Sequence, residues 1–197
     1  MIIYQIYPLS FKDTNSDGYG DLPGIISQLD YLYNLGIEAI WLSPIFTSPM
    51  KDFGYDISNY YSIDPLFGSM NDFEEFVEKA HSMNIKVLLD YVPNHTSDKH
   101  QWFQEAKSSP NHPKHDWYIW KTGKIGAPPN NWISVFGGPA WTYNETTQEW
   151  YLHHFLKEQP DLNWRNPEVK KELFHVLEFW IKKGVDGFRI DSISVLV

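Results

Sequence analysis

Lys86-Val87-Leu88-Leu89-Asp90-Tyr91-Val92 is a near-continuous apolar run. It is the pattern of a strand buried on both faces, as in a parallel sheet covered by helices. A helix is expected just before it, because Phe73, Phe76, Val77, Ala80 and Met83 recur at helical spacing, with Asn71 as N-cap and Glu74 three residues on. Further back, residues 39–42 form a short buried strand. A Pro- and Gly-bearing connection over 43–69 separates it from that helix. Leu22, Ile25, Ile26, Leu29 and Leu32 make the stripe of one earlier helix that Gly36 stops, and residues 2–7 form a first strand. The order is βαβαβ.

Forward of His95 the rhythm breaks over residues 96–166, a stretch rich in Trp, Pro, Asn and His and far longer than an ordinary loop. An inserted subdomain is expected there. Order returns at Asn166-Pro167, an N-cap followed by proline at the first helical position, and Val169, Leu173, Val176, Leu177, Trp180 and Ile181 make the stripe. Gly184 ends that helix, and residues 185–190 are expected as a buried strand. Residues two apart on a strand face one side, so Arg189 and Asp191 would point together, the guanidinium holding the aspartate ionised. An ionised, positioned carboxylate is what covalent glycosyl transfer needs, but the stretch Gly187-Phe188-Arg189-Ile190-Asp191 fits a structural ion pair equally well. The fold class that follows is α/β: the first half of a TIM-type (β/α)8 barrel with a domain inserted between strand 3 and helix 3. Residues 1–95 hold the first three barrel units, 96–166 the insertion, and 167–197 helix 3 and the fourth strand, the chain ending before a fifth.

Composition narrows the functions. The 197 residues are 42% hydrophobic and 21% charged, an ordinary globular balance. A net charge of -9 gives no electrostatic footprint for nucleic acid or anionic lipid. Cysteine is absent, which excludes disulfides and thiolate metal sites. The N-terminus lacks the basic region and cleavage site of a signal peptide, and no long apolar run occurs, so the chain as written is expected to be soluble, cytoplasmic and without membrane contact, or secreted if residues precede Met1. Aromatic residues make up 17%, and such rings suit the C–H faces of sugars as well as a core.

Asp13, Asn15, Asp17 and Asp21 alternate oxygen donors around a glycine that permits a sharp turn, which suits a hard cation such as Ca²⁺; a solvated Asp/Asn turn is the alternative. It is not an EF-hand, because Gly24 stands where the bidentate glutamate would be.

Three stretches, Asp90-Tyr91-Val92-Pro93-Asn94-His95, Gln159-Pro160-Asp161-Leu162-Asn163 and Gly187-Phe188-Arg189-Ile190-Asp191, resemble in this order signature regions of the α-amylase family of glycoside hydrolases. The second resembles its α-glucosidase and oligo-1,6-glucosidase branch, and the insertion would be that family's domain B. The resemblance implies that Asp191 is the nucleophile oriented by Arg189, and that His95 bonds the hydroxymethyl group of the sugar. Asp52 would hold the non-reducing-end hydroxyls, Tyr55 would stack under the same sugar, and Phe136 and Phe155 would line the pocket wall. It implies a calcium loop at Asp13, Asn15, Asp17 and Asp21, with the Tyr19 carbonyl as a further ligand.

A retaining α-glucosidase acting on short α-glucosides, a disaccharide or small oligosaccharide, from the non-reducing end is the function so implied. The general acid, a glutamate after the fifth strand in that family, lies outside these residues, so the chain is expected to be half a catalytic domain whose partner is the other half of the barrel. Two other functions share these residues. One is a non-catalytic, α-glucosidase-like heavy subunit of an amino-acid transporter, and the other is a glucosyltransferase or isomerase of the same family. Ser192, next to the nucleophile, resembles α-1,4-preferring members, since α-1,6-acting ones commonly carry valine there.

Overall fold

The computed structural model describes residues 1–196. In chain order the elements are β1 (Ile3–Ile6), α1 (Pro8–Phe11), α2 (Leu22–Ser27), α3 (Leu29–Asn34), β2 (Ala39–Leu42), β3 (Phe46–Thr47), β4 (Asn59–Ile63), α4 (Met70–Ser82), β5 (Lys86–Tyr91), α5 (Gln101–Ala106), β6 (Trp120–Thr122), β7 (Trp141–Asn144), β8 (Glu149–Leu152), α6 (Pro167–Lys182) and β9 (Gly187–Ile190). They divide into two compact units. The first comprises Met1–Thr47, Tyr60–Tyr91 and His175–Ile190, and the second Ser48–Asn59, Val92–Phe174 and Asp191–Val197.

The first unit is built on a parallel sheet in the order β1-β2-β5-β9. Parallel strands need crossovers, and α2 to α4 and α6 supply them. Central β2 and β5 are buried, with Ala39, Ile40, Leu42, Val87 and Leu89 at 1% exposure or less. The helices close over them with Leu22, Ile25, Leu29, Leu32, Phe73, Phe76 and Ala80. Fully buried Trp180 anchors α6: its ring lies 5.3 Å from Phe46 and 5.1 Å from Phe73, and its Nε1 donates to the Tyr60 carbonyl at 2.8 Å. Gly184, at φ +93°, ends the turn after α6, and a Cβ there would meet Val77 at 2.8 Å.

Several expectations are corrected. The strand expected over 185–190 is Gly187–Ile190, and it is only partly buried, with Ile190 48% exposed, because it pairs on one side only. The single helix over 22–34 is two, broken at Gln28, whose φ of −106° and ψ of 4° leave the helical basin. The N-cap of α4 is Ser69 rather than Asn71: Ser69 Oγ accepts from the Asp72 amide while Asp72 Oδ2 accepts from the Ser69 amide, a capping box two residues earlier. Met83 and Leu177 are half-buried, and Ile181 is exposed at the end of its helix. The Asn166 cap is as expected, Asn166 Oδ1 accepting from the Glu168 amide at 2.9 Å.

The second unit holds order that the sequence patterning did not reveal. Strands β6, β8 and β7 form an antiparallel sheet in that order, and Ala140, Trp141, Trp150 and Leu152 make a small core behind it. Helix α5 packs Phe103 edge-on against Tyr118 and Tyr151, 4.9 and 5.1 Å away. Two extended segments, around Asn94–Thr96 and Pro160–Leu162, run antiparallel through the His95–Asp161 bridge, with Leu162 N donating to Asn94 O at 2.8 Å.

Candidate active site

The second unit contains a cavity of about 210 Å³ lined by Asp52, Tyr55, His95, Phe136, Phe155, Asp191 and Ser192. Asp52 and Tyr55 sit on a tight turn that the fully buried Asp56 organises. Its carboxylate accepts from Ser48 Oγ, the Lys51 amide and the Asp52 amide at 2.9 to 3.0 Å. Three backbone positions of this turn, Met50, Phe53 and Gly54, have positive φ, so the local interactions around Asp56 must hold a conformation that most sequences avoid.

His95 is buried, 1% exposed. Burial pushes its imidazole below the ordinary histidine range, the nearby Asp161 and Asp191 carboxylates opposing only in part, so it is neutral. Its Nε2 lies 3.2 Å from the Tyr55 carbonyl and 3.0 Å from Gln159 Nε2, and its Nδ1 lies 3.2 Å from Asn94 Nδ2. Phe155 packs 5.1 Å from His95, and Phe136 6.1 Å from Phe155, so two rings form an apolar wall beside the polar floor. Asp52 is half-buried and its carboxyl is raised above the usual carboxylate range, first by burial, then by the Asp56 and Asp191 carboxylates; a hydrogen bond from Gln159 works against the rise. Asp191 follows β9 directly and accepts from Ser192 Oγ, Ser192 taking a left-handed conformation at φ 52°.

Six residues singled out in the sequence, Asp52, Tyr55, His95, Phe136, Phe155 and Asp191, thus meet around one cavity. Arg189 is not among its lining residues. It belongs to the first unit, where parallel register sets it opposite Asp90, and its Nη1 reaches both Asp90 oxygens at 3.0 and 3.2 Å. The guanidinium lies 5.0 Å from the Trp41 ring centre, and Trp41 Nε1 also donates to Asp90, so the buried carboxylate is well supplied with donors. A residue not singled out for a role is Gln159, fully buried, whose Oε1 accepts from the Leu156 amide and whose Nε2 donates to Asp52 Oδ2 at 2.8 Å. Its only signal was its place in the Gln159-Pro160-Asp161 motif. A larger cavity of about 400 Å³ shares the Phe136 and Phe155 wall, but its one carboxylate, Glu158, lies 3.9 Å from Lys157. Of the two, the smaller cavity is the one that brings two carboxylates and a histidine together.

The loop from Asp13 to Asp21 belongs to the first unit. Asp13 accepts from the amides of Asn15, Ser16 and Gly18, which, led by Gly18, hold its carboxyl below the usual range. Asp17 accepts from the Tyr19 amide and from Asn15 Nδ2, and Asp21 from Thr14 and, as cap of α2, from Gly24. Lys12 O lies 2.0 Å from where a Cβ on Gly24 would stand, so the loop closes over a backbone approach only glycine permits. Among the described residues no three His, Asp or Glu side chains converge as a finished metal site. Asp13, Asn15, Asp17 and Asp21 share one loop, where their oxygens accept backbone amides rather than converge on a point.

A profile described as the alpha amylase catalytic domain matches residues 5–197. The chain belongs to the α-amylase family. Its relatives in that family include a probable alpha-glucosidase of Rhizobium meliloti, 54% identical over 98% of this chain and 35% of that protein. An oligo-1,6-glucosidase of Parageobacillus thermoglucosidasius is 53% identical over 99% of this chain and 35% of its own length. Among solved structures, the isomaltulose synthase of Erwinia rhapontici matches with a TM-score of 0.95 at 50% identity, over 97% of this chain and 34% of that one. The chain spans about a third of the length of these relatives. Family membership places the four-stranded parallel sheet in a TIM-type barrel catalytic domain.

Proposed function

We propose that the protein carrying this chain is a retaining α-glucosidase that takes glucose units from the non-reducing end of short α-glucosides. The observation that carries this reading is the cavity itself, in which Asp191 and Asp52 face one polar floor beside the Phe136 and Phe155 rings. In the reaction, an Asp191 oxygen bonds to the anomeric carbon as the glycosidic C–O bond breaks. The leaving oxygen takes a proton from a carboxylic acid outside residues 1–197, and water then cleaves the glycosyl ester, giving back the aspartate and retaining configuration. Asp52 and His95 hold the sugar hydroxyls, Tyr55 stacks under the ring, and Arg189 sits next but one to the nucleophile in the chain. Residues 96–166 serve as the family's domain B. The other half of the barrel covers the edges where Ile3 and Ile190 are exposed. Ca²⁺ held by Asp13, Asn15, Asp17, Asp21 and the Tyr19 carbonyl would brace the first βα turn.

Proton NMR of the first-formed sugar tests the mechanism in the full-length protein: the α-anomer appears first, and a β-anomer as initial product refutes retention. Ser192 favours α-1,4 over α-1,6 linkages, and a clear preference for isomaltose over maltose would overturn that.

The likeness to an isomaltulose synthase supports a second reading, glucosyl transfer or isomerisation through the same Asp191 intermediate, distinguished by whether a sugar or water accepts the glucosyl group. The transporter-subunit reading has no support in the relatives named above.

A further inference from the structure

Within the second unit, a chain of polar contacts leads away from the cavity floor and ends at a histidine the mechanism does not use. Asp161, 1% exposed, accepts from the His154 amide at 3.1 Å, from His154 Nδ1, and from Asn94 Nδ2 at 3.1 Å. An ionised carboxylate can only accept, so Asn94 must present its amide nitrogen, and the second hydrogen of that nitrogen is left for His95 Nδ1, 3.2 Å away. An accepting Nδ1 puts the His95 proton on Nε2, where the Tyr55 carbonyl, 3.2 Å away, takes it. The two neighbouring amides make opposite demands, since Asn94 Nδ2 calls for an accepting Nδ1 and Gln159 Nε2, 3.0 Å from His95 Nε2, for an accepting Nε2, so the hold of Asp161 on Asn94 weighs the choice toward the Nε2–H form.

We propose that His154 is a positioning residue for His95, fixing the tautomer and direction of that ring through Asp161 and Asn94. This rests on the reading of the cavity as a sugar site. A buried carboxylate is costly unless met by donors, and His154 supplies two of the three that Asp161 has here. The His154 side chain is 21% exposed and its ring centre lies 6.3 Å from that of the half-exposed Trp132, so this end of the chain of contacts is within reach of solvent protons. The titratable and charged groups around His154 are Asp161 on the facing segment and His153 beside it in sequence. The ring of His153 is engaged by Thr142 Oγ1 and the Phe155 carbonyl, and the loop before β7 offers the uncharged Trp132. The Asp161 hydrogen bond raises His154 above the ordinary histidine range, so the ring keeps its proton to a higher pH than a free imidazole would.

The test uses the full-length protein with ¹⁵N-labelled histidine. Across pH ~5 to ~9, the His95 ring nitrogens should shift with the midpoint of His154 while His95 itself takes no proton. In His154→Gln, which can still donate to Asp161 but cannot ionise, the shared step disappears while the Nε2–H form of His95 remains. In His154→Leu, which does neither, the His95 tautomer signature is lost and KM rises roughly 3- to 10-fold with a smaller change in kcat. His95 nitrogens that ignore the His154 titration, or that are unchanged in both variants, overturn the proposal. If the spectra behave as expected but no α-glucoside is hydrolysed, the relay stands and the sugar-site reading falls.

Discussion

Gln159 Nε2 donates to Asp52 Oδ2 at 2.8 Å across 107 residues of sequence, and the same nitrogen lies 3.0 Å from His95 Nε2. The Leu156 amide on Oε1 fixes which end of the side chain points into the cavity. One buried amide therefore joins the turn carrying Asp52 to the segment carrying His95. Replacing it by Gln159→Leu removes a hydrogen bond to a half-buried carboxylate whose loss costs about 1.5–3 kcal/mol, a factor of roughly 10 to 150. The loss should fall mainly on KM for short α-glucosides, and the Asp52 carboxyl, freed of the bond that restrains it, should rise further above its usual range. A KM matching the wild type would show that Asp52 does not depend on this bridge.

Asp56 is the corresponding anchor on the other side of Asp52. Its buried carboxylate collects two backbone amides and a hydroxyl in the turn over residues 48–56, and no water can replace them at 0% exposure. Asp56→Ala should cost about 3 kcal/mol or more of stability and misplace both Asp52 and Tyr55, whereas Asp56→Asn, which keeps one acceptor oxygen, should lose less of both. Denaturant midpoints and KM, measured for each variant, check the order; equal losses would mean that the charge rather than the acceptor geometry holds the turn.

The parts of this molecule legible in the sequence are those whose burial is two-sided or whose chemistry is local. β2 and β5 are covered on both faces and so read as apolar runs, while β9 was overextended because an edge strand is only half covered and its apolar residues do not mark burial. Ser69 and Asn71 each begin a plausible capping pattern, and the box at Ser69 forms where Gly68, at φ +124°, turns the chain into the helix. The strands of the second unit, three or four residues long and full of aromatics, are too short to show a period of two. The motif residues around the cavity were readable one segment at a time. The Gln159–Asp52 and His154–Asp161–Asn94 contacts were not, because nothing within a segment signals which distant partner a buried amide or imidazole will meet.

The loop from Asp13 to Asp21 gives a prediction for metal. Its carboxylates already accept backbone amides, so Ca²⁺ would add to a preformed turn, and binding to the folded state alone raises the unfolding temperature by mass action. Adding Ca²⁺ to the full-length protein should raise Tm, and Asp17→Ala should abolish that rise while leaving the metal-free Tm nearly unchanged. No shift in the unmutated protein would remove the calcium site.

The histidines of the second unit predict how its stability varies with pH. Burial pushes His100 down to about 3, with the Lys114 charge adding to the fall, and burial also lowers His95 and His153, each from an ordinary 6.5. These rings are neutral when folded and protonate once unfolded, so the stability they confer is full above 6.5 and is lost as pH falls below it, for His100 down to about 3. Each contributes a slope of about 1.4 kcal/mol per pH unit while the unfolded chain binds a proton that the folded one does not. His154 has the opposite sign: raised from 6.5, it contributes fully below that value and loses its contribution as pH rises through its folded pKa. Three lowered histidines against one raised leave acid destabilisation as the net result. His100 Nδ1 accepts the Trp102 amide as the cap of α5, a bond that asparagine can also make. His100→Asn should therefore keep the fold at neutral pH and flatten the fall in urea midpoint between pH ~6.5 and ~4 by about one proton's slope. A variant as acid-sensitive as the wild type would show that His100 is not the group that protonates on unfolding.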